Sequence, residues 1–285
     1  MTRKEPMDNR SILITGCSSG IGRACALGLK ARGWRVFATA RGKEDIADLQ
    51  GHGLEALYLD YAEPDSVRAC VERVAERTEG RLFALFNNGA YGQLGAVEDL
   101  SRAVLEAQFQ ANVFGWHDLT VRALPLMRAN GGGRVVQNSS VLGVVAMKWR
   151  GAYNASKFAI EGLSDTLRLE LRGSGIHVST IEPGPIWSRF VEHALRHFEQ
   201  NIDIEHSPYR DVYQHHLKRL RGETKPNPFK LPPEAVLKKL VHALEHPRPK
   251  PKYYVTFPTH LMALLRRALP WRVLDAVLDK ASDAN

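Results

Sequence analysis

The sequence predicts an α/β protein built on a single doubly wound parallel sheet, with helices on both faces and a helical C-terminal lid and tail. Three observations predict it. Short apolar runs alternate with amphipathic segments of helical length through the first two-thirds of the 285 residues. The segments between strands are long enough for right-handed crossovers, which join parallel neighbours. A glycine-rich turn separates the first strand from the first helix, where open α/β sheets bind ligands.

The elements follow in order. Residues 11–15 (Ser-Ile-Leu-Ile-Thr) read as a short buried strand, and 21–32 as a helix that Gly33 can end. The second strand spans 35–40 and the third 55–59. A helix over 64–78 has Pro64 at its first position and Asp65 in its first turn. A strand at 82–86, a long helical region through Met127 and a strand at 133–138 come next. A helix over 153–171 leads to a strand at 177–181. After Pro185 the alternation stops. Residues 187–230 are polar, rich in His and Arg, and read as one or two helices plus a loop at Pro226 and Pro228. A helix over 235–244, a stiff Pro-rich linker at 247–251 and a last strand at 253–257 complete the pattern. The expected division is a flexible polar segment at 1–9, a core at 10–190, a variable region at 191–257 and a basic amphipathic tail at 258–285, all in one domain.

Composition narrows the function. With 44% apolar and 25% charged residues the chain reads as an ordinary soluble protein. Cys17, Cys25 and Cys70 lack metal-ligand spacing and read as free thiols of a reducing, cytoplasmic compartment. Residues 1–9 have no apolar signal-peptide core, and no run approaches the roughly 18 apolar residues of a spanning helix. The formal charge of +8 comes from scattered Lys and Arg without a nucleic-acid module, so no nucleic-acid partner is expected. His193 and His197 share a helix face, but no third ligand has an evident position and no metal is expected.

The turn Thr15-Gly16-Cys17-Ser18-Ser19-Gly20-Ile21-Gly22 carries the first chemical signal. Gly16 permits the tight turn, Gly20 lets the backbone approach a pyrophosphate, and Gly22 allows close packing of helix against strand. The helix N-terminus offers free N–H groups to phosphate. The second strand ends at Ala40-Arg41, where NAD-binding folds place an acidic residue. With no carboxylate there, Arg41 can pair with the 2′-phosphate of NADP(H), and Ser18 can add a hydroxyl; the alternative is a solvated surface arginine.

Tyr153 and Lys157 lie four residues apart, on one face of a helix. A phenol titrates near 10, too high for proton exchange near neutrality. A neighbouring ammonium and an oxidised nicotinamide favour phenolate, making Tyr153 a general acid in reduction and base in oxidation. Ser140 follows the 133–138 strand and can hydrogen-bond the substrate oxygen, with Ser139 as the neighbouring alternative.

With these motifs in sequence, the chain resembles the short-chain dehydrogenase/reductase family over about residues 10–190. The resemblance rests on Thr15-Gly16-x3-Gly20-Ile21-Gly22, Asp60, Asn87-Asn88, Asn112, Ser140, Tyr153-x3-Lys157 and Pro183-Gly184. It implies a Rossmann-type fold and further site residues. Asp60, with Tyr61 beside it, would accept a bond from the adenine amino group. Asn87 and the Gly89-Ala90 backbone would line the adenosine ribose. Asn112 would hold a water that relays protons to Lys157, and Lys157 would bind the nicotinamide ribose. Pro183, Gly184, Ile186 and Ser188 would grip the carboxamide. Two departures stand out. Ala90 replaces a usual glycine, so its methyl is expected to crowd the ribose unless the backbone shifts, and Ser188 replaces a usual threonine.

The tail joins two short helices, 259–269 and 270–280. Leu261, Leu264, Leu265, Ala268, Leu274, Val277 and Leu278 form apolar stripes beside Arg266, Arg267 and Arg272. Such a pair can cover a greasy pocket, lie on a membrane surface, pack on a partner or dock on its own core. The tail resembles that of family members acting on retinoids, steroids and fatty aldehydes, which implies a lipophilic carbonyl or alcohol substrate. The family's habits also imply a homodimer or homotetramer.

Overall fold

The computed structural model describes residues 10–221 and 227–284; the expectations for residues 1–9 and for Pro226 lie outside them. Among the described residues, seven all-parallel strands make one sheet: β1 (Ser11–Ile14), β2 (Arg35–Ala40), β3 (Glu55–Tyr58), β4 (Ala84–Asn87), β5 (Gly133–Asn138), β6 (Ile176–Glu182) and β7 (Lys252–Tyr254). Their order is β3-β2-β1-β4-β5-β6-β7, so the chain reverses direction across the sheet between β1 and β4. Ligands of such sheets bind at that crevice, outside the carboxyl ends of the strands.

The strands are apolar because both sides of the sheet are covered. On one face α1 (Gly20–Ala31) and α9 (Glu234–Glu245) bury Cys25, Leu29, Val236 and Leu240 against Ile12, Ile14 and Val136. On the other, α3 (Pro64–Arg77), α5 (Gly115–Ala129) and α6 (Gly151–Glu170) bury Val67, Trp116 and Ile160 against Leu13, Leu85 and Val135. A short helix α4 (Arg102–Phe109) runs into α5 through a π-turn at Gln110–Phe114. Beyond the sheet lie α7 (Phe190–Asn201), α8 (Arg210–Leu220), α10 (Phe257–Ala268) and α11 (Trp271–Ala284). Among the described residues, no helix is long and apolar enough to cross a membrane.

Two elements differ from expectation, and the tail takes one of the arrangements left open to it. A helix α2 (Lys43–Gly51) lies between β2 and β3, where none is predicted. Only Leu49 of it is buried, so it leaves almost no apolar period in the sequence. The last strand stops at Tyr254 rather than 257, because Thr256 takes the N-cap of α10 and Pro258 suits the first helical turn. The tail docks on its own core: α10 buries Thr259, Met262 and Ala263, and α11 buries Leu274. An outer stripe of α10, Phe257, Leu261, Leu264 and Ala268, stays exposed.

Candidate active site

The loop between β1 and α1 is shaped by its glycines. Gly16 and Gly20 have φ of 66° and 55°, a left-handed backbone that other residues adopt at a cost. A Cβ on Gly16 would come within 2.6 Å of Gly89 Cα, and one on Gly22 within 2.1 Å of the Gly16 carbonyl oxygen. Gly22 is thus required by the loop itself rather than by a strand. A Cβ on Gly20 would lie 2.9 Å from Ser188 Cβ, so Ser188 sits directly across the loop. Ser19 caps α1 without a side-chain bond to the first-turn N–H groups, which stay available. Ser18 and Ile21 are half-buried, and Ile21 packs on the core. A groove of about 410 Å³, lined in part by Gly20, Arg23, Trp187 and Ser188, opens beside the loop.

Asn88, given no role of its own by the sequence reading, ties this loop to the sheet. Its Nδ2 donates to the Thr15 and Gly16 carbonyls (2.8 and 3.2 Å), and its Oδ1 accepts from Asn138 Nδ2 (2.9 Å). The Asn87 side chain and the Tyr61 hydroxyl join one buried network. Asn87 is fully buried, accepting from the Tyr61 hydroxyl (2.9 Å) and donating to Thr120 Oγ1 (2.9 Å). Tyr61 packs against Gly115, and its oxygen also lies 2.8 Å from Thr15 Oγ1. Burial pushes its phenol well up. Ala90 is half-buried and packs against the cluster of Leu13, Tyr61 and Trp116. Trp116 Nε1 donates to the Gly89 carbonyl (2.7 Å), fixing the segment.

Arg41 is 69% exposed and has a carboxylate neighbour after all: its Nη1 lies 3.5 Å from Asp60 Oδ2. The neighbour comes from the end of β3, not from β2, which is why strand-end reading misses it. Asp60 Oδ1 accepts from the Ala62 N–H (2.9 Å). A cation held this loosely can exchange its partner for a phosphate.

At the carboxyl ends of β5 and β6 the polar groups converge. Ser140 caps a 3-10 turn, Oγ accepting from the Leu142 N–H (3.1 Å), and it hydrogen-bonds the Tyr153 phenol. Ser139 points elsewhere: its Oγ lies 2.7 Å from where a Cβ on Gly143 would be and has no partner. The geometry thus favours Ser140 of the two. Burial pushes the Tyr153 phenol up to about 12, with Ser140 opposing. The lowered phenol expected from the sequence is not a property of the protein's own groups.

Lys157 Nζ donates to the Asn138 carbonyl (2.8 Å) and lies 4.2 Å from the Trp116 ring centre and 5.6 Å from that of Tyr153. Burial pushes its ammonium down to about 7, against the charge of Glu161. Asn112 sits in the π-turn, a form frequent at functional sites. Its Nδ2 donates to the Tyr91 carbonyl (2.9 Å) and to Ser156 Oγ (3.1 Å), and Ser156 donates to the Tyr153 carbonyl (2.8 Å).

The remaining predicted residues flank this group. The Pro183 carbonyl accepts from the Val141 N–H (2.8 Å), linking the two strand ends. A Cβ on Gly184 would meet Thr256 Oγ1 at 2.1 Å, so the tail presses on this turn. Ile186 is buried and bridges to Leu231. Above Tyr153 stands Phe190, its ring centre 5.3 Å away, and from the same helix α7 His197 stacks on Tyr91 at 4.1 Å. The sequence assigns Phe190 no role, because an aromatic at the start of a polar helix does not show which way it faces.

A doubly wound sheet with this loop and this Ser-Tyr-Lys group defines a nicotinamide-dependent oxidoreductase class. The short chain dehydrogenase family profile matches residues 10–198, and the chain belongs to that family. It is 42% identical over 269 residues to the uncharacterized oxidoreductase YbbO of Escherichia coli K12, covering 94% of each chain. It is 34% identical over 279 residues to human 17-beta-hydroxysteroid dehydrogenase type 1 (90% of this chain, 80% of the relative). Human retinol dehydrogenase 5 is 33% identical over 286 residues (96% and 89%). Two solved short-chain dehydrogenases share the fold. One from Burkholderia cenocepacia, in complex with NADP, has a TM-score of 0.74 at 21% identity, with 95% and 97% coverage. One from Burkholderia phymatum, in complex with NAD, has 0.75 at 22%, with 96% and 97%.

Proposed function

We propose that the protein is an NADP(H)-dependent oxidoreductase that interconverts a lipophilic carbonyl and its alcohol. The convergence of Ser140, Tyr153 and Lys157 at the carboxyl ends of β5 and β6 carries this reading. Gly16, Ser18, Ser19, Gly20, Ile21 and Gly22 form a tight turn whose glycines have no room for a Cβ, and the free N–H groups at the start of α1 suit a pyrophosphate. Arg41 would meet the 2′-phosphate, Asp60 and the backbone of 87–90 the adenosine, and Pro183, Gly184, Ile186 and Ser188 the carboxamide. Bound there, the dinucleotide supplies or accepts the hydride.

The chain's own groups manage the proton. Ser140 Oγ orients the carbonyl oxygen, and Tyr153 Oη gives it a proton in reduction or takes one in oxidation. Lys157, held by the Asn138 carbonyl, adds its positive charge to that of an oxidised nicotinamide, and the two together would bring the phenol into working range. Asn112 and Ser156 brace the helix turn that carries Tyr153. Phe190 over Tyr153 favours an apolar substrate. So do the names of the steroid and retinol relatives.

The assay is NADPH and NADH oxidation with retinal, steroid ketones and long-chain aldehydes, beside Tyr153→Phe. NADPH-selective turnover that disappears in the variant is expected. Turnover unaffected by Tyr153→Phe refutes the mechanism, and tight NADPH binding without any turnover favours a non-catalytic dinucleotide sensor. The exposed stripe of α10 supports a second reading, peripheral contact with lipid. Leu264→Asp should then release the protein from anionic liposomes without lowering turnover of a soluble substrate.

A further inference from the structure

Tyr153, Lys157, Glu161 and Asp165 follow one another at four-residue steps on α6 and form one row. The row ends in a buried cluster with no part in the proton transfer described above. Glu161 is 6% exposed, and Glu182, the last residue of β6, is 0% exposed. The Thr180 hydroxyl lies 2.9 Å from Glu182 Oε1 and 3.3 Å from Glu161 Oε2. From β7, Lys252 Nζ reaches Glu161 Oε2 at 2.5 Å, Asp165 Oδ2 at 3.4 Å and Glu182 Oε1 at 3.8 Å. Glu161 Oε1 and Glu182 Oε2 are buried without a hydrogen-bond partner. A stable core does not need such a group, because apolar residues of similar volume commonly serve as well or better.

We propose that Glu161 is a positioning residue for the reaction: its carboxylate, clamped by Lys252 and Thr180 one turn beyond Lys157, holds the positive charge on the Lys157 ammonium. Glu182 is the member of the carboxyl pair that keeps its proton and so lets the pair stay buried. The inference rests on the reading of Lys157 as the charge beside Tyr153.

The electrostatics agree with the geometry. Burial strips charge from Lys157, and Glu161 is the group that opposes it. Glu182 is pushed up to about 8, first by burial and then by Glu161, with Lys252 pulling it back. The titratable and charged groups around the row are Tyr153 and Asp165 on α6, Glu182 on β6, and Lys252 and Tyr254 on β7. Asp165 is half-exposed and shared with Arg168, which leaves Glu161 as the buried counter-charge.

The test compares Glu161→Gln, Glu161→Asp and Glu182→Gln with the unaltered protein in two readouts. The first is the pH above which NADPH-dependent reduction declines. The second, free of turnover and of dinucleotide, is the titration of the Lys157 13Cε resonance, assigned with Lys157→Arg. Loss of the Glu161 charge makes Lys157 shed its proton sooner, so both midpoints should fall by roughly one pH unit. Glu161→Asp keeps the charge and should restore most of the shift, and Glu182→Gln should leave the midpoints near those of the unaltered protein. If Glu161→Gln does not fold, Glu161→Gln with Lys252→Met removes the ion pair as a unit, and a smaller downward shift is expected, because losing the Lys252 charge offsets part of the loss of the Glu161 charge. Midpoints that do not move, with Tyr153→Phe and Lys157→Met still inactive, overturn the role of Glu161 alone. Turnover that survives Tyr153→Phe and Lys157→Met overturns the catalytic reading beneath it.

Discussion

Replacing Lys157 by Met should abolish turnover and yet stabilise the protein. Lys157 is 1% exposed, and burial brings its ammonium from 10.5 down to about 7. Because the folded-state value is the lower one, the unfolded chain binds more protons between pH 7 and 10.5. Stability of the unaltered protein therefore rises with pH across that window, and the full penalty applies below it. A shift of about 3.5 units corresponds to roughly 5 kcal/mol at 1.36 kcal/mol per unit. Met forgoes the hydrogen bond to Asn138 and the contact with the Trp116 ring, which returns about 1–2 kcal/mol. A net gain of about 3 kcal/mol at pH 6 is expected, read as an increase of roughly 6–10 °C in Tm by calorimetry. The gain should shrink toward zero, or reverse, by pH 10.5. A Met variant that is less stable at pH 6, or whose advantage does not depend on pH, would refute the reasoning.

Three further outcomes follow from the geometry. Arg41→Asp should lower the ratio of NADPH to NADH efficiency by about 100-fold, the equivalent of ~3 kcal/mol; an unchanged ratio removes Arg41 from the cofactor site. Gly22→Ala places a methyl 2.1 Å from the Gly16 carbonyl oxygen, so dinucleotide binding followed by fluorescence should weaken at least ~10-fold while the far-ultraviolet circular dichroism is kept. Asp99→Asn cuts a clamp in which Asp99 Oδ2 accepts from the Tyr213 and Ser207 hydroxyls, pinning α8 to the turn at Val97–Asp99. Hydrogen exchange in α8 should rise by the equivalent of about 1–3 kcal/mol with KM raised more than kcat is lowered, and exchange equal to the unaltered protein's would count against the clamp.

The strands were legible because both faces of a parallel sheet are covered, which writes uninterrupted apolar runs such as Ile12-Leu13-Ile14 into the chain. Gly16 and Gly20 were legible for the same kind of reason: a left-handed backbone leaves a residue type as its signature. Helix α2 was not, since one buried leucine makes no period. The side-chain contacts of Asn87 and Tyr61 were not legible either. A polar residue next to a strand end reads the same whether its side chain faces a ligand or, as here, closes a buried network with Thr120 and Thr15. The Arg41–Asp60 and Glu161–Lys252 pairs were beyond reach for another reason. Their partners stand 19 and 91 residues apart and meet only once neighbouring strands have paired.

The tail changes meaning once its two faces are separated. Its inner face belongs to the site: Thr256, at the cap of α10, presses on Gly184, and its hydroxyl lies 3.0 Å from that of Thr259. The Gly184 turn in turn follows Pro183, whose carbonyl holds the Val141 N–H beside Ser140. Removing residues 258–285 would therefore disturb the floor of the active site as well as any lipid contact, and loss of both activities would say nothing about membranes. Substitutions on the outer stripe, Phe257, Leu261 and Leu264, leave those inner contacts in place. Only they can separate a role in holding the site together from a role in meeting an apolar surface.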